Sequence, residues 1–226
     1  MHSIKPKPVS KMLIFDMDNT ILYGRFIDTA AKQLGFFDKL AQIRVQTRDV
    51  RQRTHQIAAL LAGVSLETIL EIIADMQLVS DTKDVVSAFK DIGYVTGIIS
   101  DSYDCVTEYV KELAGINFSL SNWLEFKDQT ATGRVYIPEY FQNSAECLCE
   151  HEICKSHAMS YVARVYGISI KDVIAVGDSE NDACMVKNAG TGVAFCSVDK
   201  LLLESADFQI EVKSFQELLK FARPVT

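Results

Sequence analysis

Residues 12–20 read MLIFDMDNT. Met12, Leu13, Ile14 and Phe15 form a short unbroken apolar run that gives way to Asp16, Asp18 and Thr20. A run this short with no polar alternation reads as a strand buried on both faces, the pattern of a covered parallel sheet. Ligands of open α/β sheets gather at the carboxyl ends of strands. The acidic residues that close this run are therefore the first candidates for chemistry.

Residues 26–76 carry helical periodicity almost throughout. Ile57, Leu60, Leu61 and Val64 share one face, and Leu66, Ile69, Leu70 and Ile73 another. Gly35 and Gly63 fall where helices should end. Beyond this stretch helices and strands alternate. Helices are expected over 84–92, 103–113, 156–166 and 180–188, the first three closed by Gly93, Gly115 and Gly167. Strands are expected over 94–99, 173–176, 192–195 and 208–212. Residues 117–136 look β-rich with a turn near 127–133, and a last helix is expected over 215–221. Such alternation predicts an α/β fold: a Rossmann-like, mostly parallel sheet with helices on both faces. The helical stretch becomes an insertion after the first strand, residues 24–80, on a core built from 1–23 and 81–226.

Two further apolar runs end in polar residues. One closes on Ser100, followed by Asp101. The other closes on GDSEND, with Gly177, Asp178, Asn181 and Asp182. Lys155 opens the helix ahead of that last strand. Brought together, the carboxylates would attract a hard, oxygen-seeking cation, and Mg²⁺ suits a few carboxylates plus a substrate phosphate. Such a cation eases repulsion between carboxylate and phosphate and stabilises charge on the phosphoryl oxygens. Lys155 and Ser100 would add donors. Asp16 could then attack phosphorus, while Asp18 protonates the leaving alkoxide and later deprotonates water.

The chain has 226 residues, 48% hydrophobic and 23% charged, enough for a core without staples. Its net charge of −7 argues against a nucleic-acid partner, which needs a basic face. No apolar run is long enough to cross a bilayer, and MHSIKPKPVS lacks the apolar core of a secretory signal. Six unevenly spaced cysteines fit free thiols in a reducing cytoplasm. A small-molecule phosphate ester is the expected partner, with no membrane; oligomeric state is not specified.

The order DMDNT, IISDS, Lys155, VGDSENDACM resembles the haloacid dehalogenase superfamily of phosphatases, and within it the phosphoserine phosphatase-like branch. The likeness runs from about residue 11 to 221 and includes the helical insertion and the AFC string at 194–196. It implies Asp16 as nucleophile and magnesium ligand, and Asp18 as general acid/base whose backbone carbonyl also ligates the metal. It implies Asp178 as the second metal carboxylate, Asp182 as its support, and Asn181 near the phosphate. Thr20, Ser100, Asp101 and Lys155 are the remaining phosphate-binding positions. VRQRT resembles the cap segment that holds a substrate-binding arginine, best matched by Arg53. Two positions depart from the branch. Arg25 stands where a glutamate facing the substrate amino group is usual, so it should favour an anion over an ammonium. Asp101 and Ser102 stand where two glycines are usual.

Other features have plainer readings beside functional ones. CLCEHEICKSH, residues 147–157, places Cys147, Cys149, His151, Cys154 and His157 next to Lys155, as reduced thiols or as a Zn²⁺ site. Arg44, Arg48, Arg51 and Arg53 make either a solvated helix face or anion-reading side chains. Tyr23, Arg25 and Phe26 fall at the cap hinge. His55 reads as a helix-surface histidine and Trp123 as core or flap packing. Transfer of the phosphoryl group to a second alcohol is the rival reaction, and a non-catalytic phospho-ligand binder the rival class.

Overall fold

The computed structural model describes residues 10–142, 151 and 153–222. Strand β1, Lys11–Phe15, is the centre of a seven-stranded sheet. The others are β2 (Tyr94–Tyr103), β3 (Phe118–Lys127), β4 (Thr130–Tyr136), β5 (Val173–Gly177), β6 (Thr191–Phe195) and β7 (Phe208–Ile210). Their order is β4-β3-β2-β1-β5-β6-β7, and only the β3–β4 pair is antiparallel.

The unbroken apolar character of β1 has the expected cause. Leu13 and Phe15 pack on one face with Ile98, Val176, Phe89 and Phe215, while Met12 and Ile14 pack on the other with Ile99, Ala158, Met159 and Met185. These four β1 side chains are fully buried, so neither face could accept a polar residue there without an unpaired group.

Four helices follow β1: α1 (Phe26–Gln33), α2 (Phe37–Gln46), α3 (Val50–Ala59) and α4 (Leu66–Ala74). Asp49 caps α3 by accepting from the Gln52 amide, and Ser65 caps α4 by accepting from Thr68. The chain leaves and re-enters the sheet side by side. The Tyr23 amide donates to Gln77 O and the Val79 amide to Ile21 O, around a Leu22–Leu78 bridge. The segment is also tied to the hairpin. The Gly63 amide donates to Ala131 O, and the Leu66 amide to Gln129 O. A Cβ on Gly133 would stand 2.9 Å from Ala62 Cβ, so α3 and its following turn lie directly on β4.

The remaining helices are α5 (Thr82–Asp91), α6 (Asp104–Ala114), α7 (Lys155–Tyr166), α8 (Ala183–Asn188) and α9 (Lys200–Ser205). Gly115 and Gly167 close α6 and α7 in left-handed conformations, φ 70° and 67°. Several boundaries differ from the sequence expectation. Strand β2 does not stop at Ser100 but runs on to Tyr103, because Tyr103 regains pairing with Asn122 of β3 after a register shift. The hairpin turn is only Asp128–Gln129, both at positive φ, so β4 starts earlier than expected. Helix α9 had not been expected, and the segment Gln216–Phe221 is 3-10 rather than α. Trp123 is not core: it is 51% exposed and lies 5.2 Å from the ring of Tyr136, its cross-strand partner. Among the described residues no helix is long and apolar enough to cross a membrane.

Candidate active site

The three central strands β2, β1 and β5 deliver their carboxyl ends to one place. Asp16 follows β1, and its amide continues the ladder by donating to Val176 O at 2.9 Å. Asp178 follows Gly177, the last residue of β5. Ser100 and Asp101 lie within the end of β2.

Lys155, the first residue of α7, is the hub. Its Nζ lies 2.6 Å from Asp16 Oδ1 and 2.7 Å from Asp182 Oδ1, and all three residues are buried. The other oxygen of Asp182 accepts from the amides of Asp178 and Ser179 at 3.1 and 3.2 Å and from the Ser179 hydroxyl at 3.3 Å. Asp182 is therefore occupied on both oxygens, and it fixes the turn that carries Asp178. Gly177 permits this: a Cβ there would meet Asp182 Cβ at 2.3 Å. Thr20, fully buried, donates to Asp178 Oδ1 at 3.5 Å. Asn181 Nδ2 donates to Asp101 Oδ2 at 3.3 Å. The Ser100 hydroxyl accepts from the Ser102 amide at 3.2 Å and is buried.

Asp18 sits in the turn after β1, where Asn19 takes φ 59°. The Phe26 amide, at the start of α1, donates to Asp18 Oδ1 at 2.7 Å. Burial pushes the Asp18 carboxyl up to about 7; the Phe26 bond opposes the rise and the Asp101 charge adds to it. Burial likewise raises Asp16 well above the ordinary carboxylate range. Lys155 pulls against this, and the charges of Asp182, Asp178 and Asp18 add to it. Asp178 is raised by burial and by Asp182. For Lys155, burial opposes the charge, but Asp16, Asp182 and Asp101 outweigh it and hold the ammonium protonated.

Arg25 belongs to the same electrostatic set. Burial works against the guanidinium, and Asp101, Asp178, Asp18 and Asp16 together raise its pKa further. Arg53, on α3, is only partly buried and makes no ion pair among the described residues. The other arginines of this stretch separate by partner. Arg44 is paired with Asp28 of α1 at 2.6 Å, Arg51 reaches Gln142 at 3.4 Å, and Arg48 is exposed. His55 is exposed on α3. Cys147 and Cys149 lie outside the described residues.

Three supporting residues were not read from the sequence. Lys213 donates to the Asn19 carbonyl; burial lowers its pKa, against the charges of Cys196, Asp178 and Asp16. The Ser197 hydroxyl donates to Asp178 O at 2.6 Å, and Asn122 Nδ2 to Asp101 O at 2.7 Å. Each comes from a distant element, and no local pattern marks it.

Carboxyl oxygens of Asp16, Asp178 and Asp182 lie within 4.8 Å of one another. An all-oxygen donor set suits a hard divalent cation. Of these three, Asp182 is already bonded through both oxygens, whereas Asp16 and Asp178 each have one oxygen engaged, so Asp16 and Asp178 are the side chains best placed to hold such an ion. The local charge balance also fits: five carboxylates (Asp16, Asp18, Asp101, Asp178, Asp182) outnumber the three nearby cations, Lys155, Arg25 and Lys213.

An α/β sheet with this strand-end cluster defines a class. The chain belongs to the haloacid dehalogenase-like hydrolases, the family matched over residues 52–217, and within them to the phosphoserine phosphatase-like phosphatases. It is 30% identical to the phosphoserine phosphatase of Wolinella succinogenes over 213 residues, 92% of this chain and 98% of that protein. It is 28% identical to that of Methanocaldococcus jannaschii over 217 residues, 94% and 98% of the two chains. Among solved structures, a phospho-aspartyl intermediate analogue of phosphoserine phosphatase superposes with a TM-score of 0.78 at 28% identity, covering 95% of this chain and all of that one. A haloacid dehalogenase family hydrolase from Salmonella enterica serovar Typhi gives 0.83 at 25% identity, covering 97% of this chain and 74% of that one.

Proposed function

We propose that this phosphatase hydrolyses a small phosphomonoester through a phosphorylated Asp16, with Mg²⁺ as cofactor, in the cytoplasm. The observation that carries the reading is the buried Lys155 between Asp16 and Asp182, beside Asp178. It leaves a nucleophile, a cation-binding pair and a phosphate-facing ammonium on three neighbouring elements. Mg²⁺, when bound, would offset part of the carboxylate charge and withdraw charge from the phosphoryl oxygens.

The chain's own residues do the rest. Asp16 attacks phosphorus, and Asp18 gives its proton to the departing alkoxide. Asp18 then takes a proton from the water that cleaves the acyl-phosphate. A carboxyl near 7 is suited to both steps at neutral pH. Lys155, Ser100, Thr20, Asp101 and Asn181 surround the phosphate, with Asp182 holding Lys155 and the Asp178 turn in place. Residues 24–80 serve as a cap over a core of 1–23 and 81–226, bringing Arg25 and Arg53 toward the substrate.

Relatives named phosphoserine phosphatase support a small phosphorylated acid as substrate. Arg25 refines this: a guanidinium beside the phosphate site favours a second anionic group and disfavours an ammonium. No observation favours phosphoryl transfer to an alcohol or a non-catalytic role. The test is Mg²⁺-dependent phosphate release from a metabolite panel that pairs O-phosphoserine with 3-phosphoglycerate. Wild type should release phosphate and Asp16→Asn should not. Full activity in Asp16→Asn would overturn the mechanism, and preference for O-phosphoserine would overturn the assignment of Arg25.

A further inference from the structure

A second donor cluster lies outside the carboxylate site. The ligand atoms of His151, Cys154 and Cys184 all fall within 4.8 Å of one another, and the phosphate chemistry above uses none of them. The cluster differs from the one suggested by the spacing of residues 147–157. His157 turns inward, with Nδ1 3.3 Å from Phe141 O in the buried core. Cys184 arrives instead from the start of α8, with Sγ 3.3 Å from His151 Nδ1.

Two thiols and an imidazole are soft to borderline donors, which select zinc over magnesium. Zinc–sulfur and zinc–nitrogen bonds of about 2.3 and 2.0–2.1 Å in a tetrahedron put neighbouring donors about 3.4–3.8 Å apart. The cluster reaches that arrangement by an inward adjustment of roughly 1 Å or less. A thiol–imidazole hydrogen bond accounts for the Cys184–His151 pair alone. The third donor, Cys154, comes to the same point from the residue before α7. The depth is graded as well: Cys154 is buried, Cys184 partly buried and His151 exposed. An ion could enter from solvent on the histidine side.

We infer that the chain binds one Zn²⁺ through His151, Cys154 and Cys184, at a site separate from the carboxylate cluster, with a fourth position left for water or an incoming donor. The site spans the elements that carry the active-site ion pair. Cys154 directly precedes Lys155, Cys184 follows Asp182 by two residues, and Lys155 Nζ touches Asp182 at 2.7 Å. Zinc therefore ties the start of α7 to the start of α8. Because thiols must lose their protons to bind it, affinity falls as pH falls.

The test is Co²⁺ titration of the full, Mg²⁺-saturated chain in a phosphine reductant, followed by displacement with Zn²⁺. Carboxylates give no sulfur-to-cobalt charge-transfer band, so the band reports thiolate ligation and not the carboxylate cluster; the cysteine variants then say which thiols supply it. One Co²⁺ per chain with that band is expected. His151→Gln and Cys184→Ser should each weaken Zn²⁺ on the order of 100-fold, at least what loss of an outer-shell partner costs. Cys105→Ser and Cys196→Ser should leave it unchanged. His151 is exposed, so His151→Gln should fold, with a wild-type circular dichroism spectrum and melting curve when no zinc is present. Absence of the band, or a band that survives either His151→Gln or Cys184→Ser, overturns the inference.

Discussion

Replacing Gly177 by alanine tests whether the Asp182–Lys155–Asp16 relay positions the nucleophile. The new Cβ would lie 2.3 Å from Asp182 Cβ, 2.5 Å from its Cγ and 2.8 Å from Oδ2. Carbon atoms in contact prefer about 3.5–4.0 Å, so Asp182 must retreat by more than about 1 Å. Retreat stretches its bonds to the Asp178 and Ser179 amides, at 3.1 and 3.2 Å, and the 2.7 Å contact with Lys155. Lys155 then loses one of its two partners, and the Asp178 turn loses its brace. A misplacement of about 1 Å costs roughly 100-fold in rate, while overpacking costs about 1–3 kcal/mol of stability. Steady-state phosphate release at saturating Mg²⁺ should show the loss in kcat, and urea unfolding the loss in stability. Gly190→Ala is the control. Its Cβ would lie 2.0 Å from Lys171 O, near none of the active-site residues, so it should cost stability and leave kcat per folded molecule unchanged. A Gly177→Ala enzyme with wild-type kcat, or an equal kcat loss in Gly190→Ala, would refute the reasoning.

Lys155→Met leaves Asp16 and Asp182 buried without their shared counter-ion; stability should drop by about 3–5 kcal/mol and phosphatase activity should disappear, as read by denaturant melts and phosphate release. Arg25→Glu should raise the ratio of kcat/KM for O-phosphoserine over 3-phosphoglycerate by at least about tenfold, equivalent to about 1.4 kcal/mol; an unchanged ratio would remove Arg25 from substrate recognition. Burial raises the carboxyls of Asp16, Asp178 and Asp18, the last from 3.8 to about 7, so the metal-free folded chain binds more protons than the unfolded one across that window. The stability tied to the Asp18 proton is present below pH 3.8 and lost as pH rises through about 7, and the raised Asp16 and Asp178 act in the same direction; Mg²⁺ should therefore raise the melting temperature more at pH 8 than at pH 5, and an equal or reversed gain would contradict the shifts.

What the sequence made legible was local. Asp16 and Asp178 each end an apolar run, and a run that short reads as a covered strand; both do fall at carboxyl ends in one sheet. The helices α5, α6 and α7 end at glycines that the next strand follows closely. What the sequence hid depends on pairing across the chain. Ser100, Asp101 and Ser102 read as the loop after a strand; they remain in β2 because Tyr103 pairs with Asn122 and the Asn122 amide holds the Asp101 carbonyl. Helix α9 spans six residues, too few for periodicity to register, and its one local sign is the cap from Asp199 to the Leu202 amide. Lys213 reaches the Asn19 carbonyl from 194 residues away. Cys184 meets His151 from 33 residues away. Neither distance leaves a pattern in either segment.

The arginines show how the same limit bears on substrate choice. Spacing alone could not rank Arg25 against the four arginines of residues 44–53, since all lie in the helical segment or at its edge. The structure separates them by where their charge goes. Arg44 is paired within the segment to Asp28, and Arg51 is engaged by Gln142. Arg25 takes its electrostatic environment from Asp101, Asp178, Asp18 and Asp16. It therefore shares its carboxylates with whatever cation those residues hold. An ammonium on the substrate would have to enter a region where a guanidinium already faces them, whereas a carboxylate or second phosphate would pair with Arg25 and offset its charge. On the proposed mechanism, substrate recognition and charge balance at Asp16 are one electrostatic problem, and a change at residue 25 should alter both the preferred ester and the cation requirement.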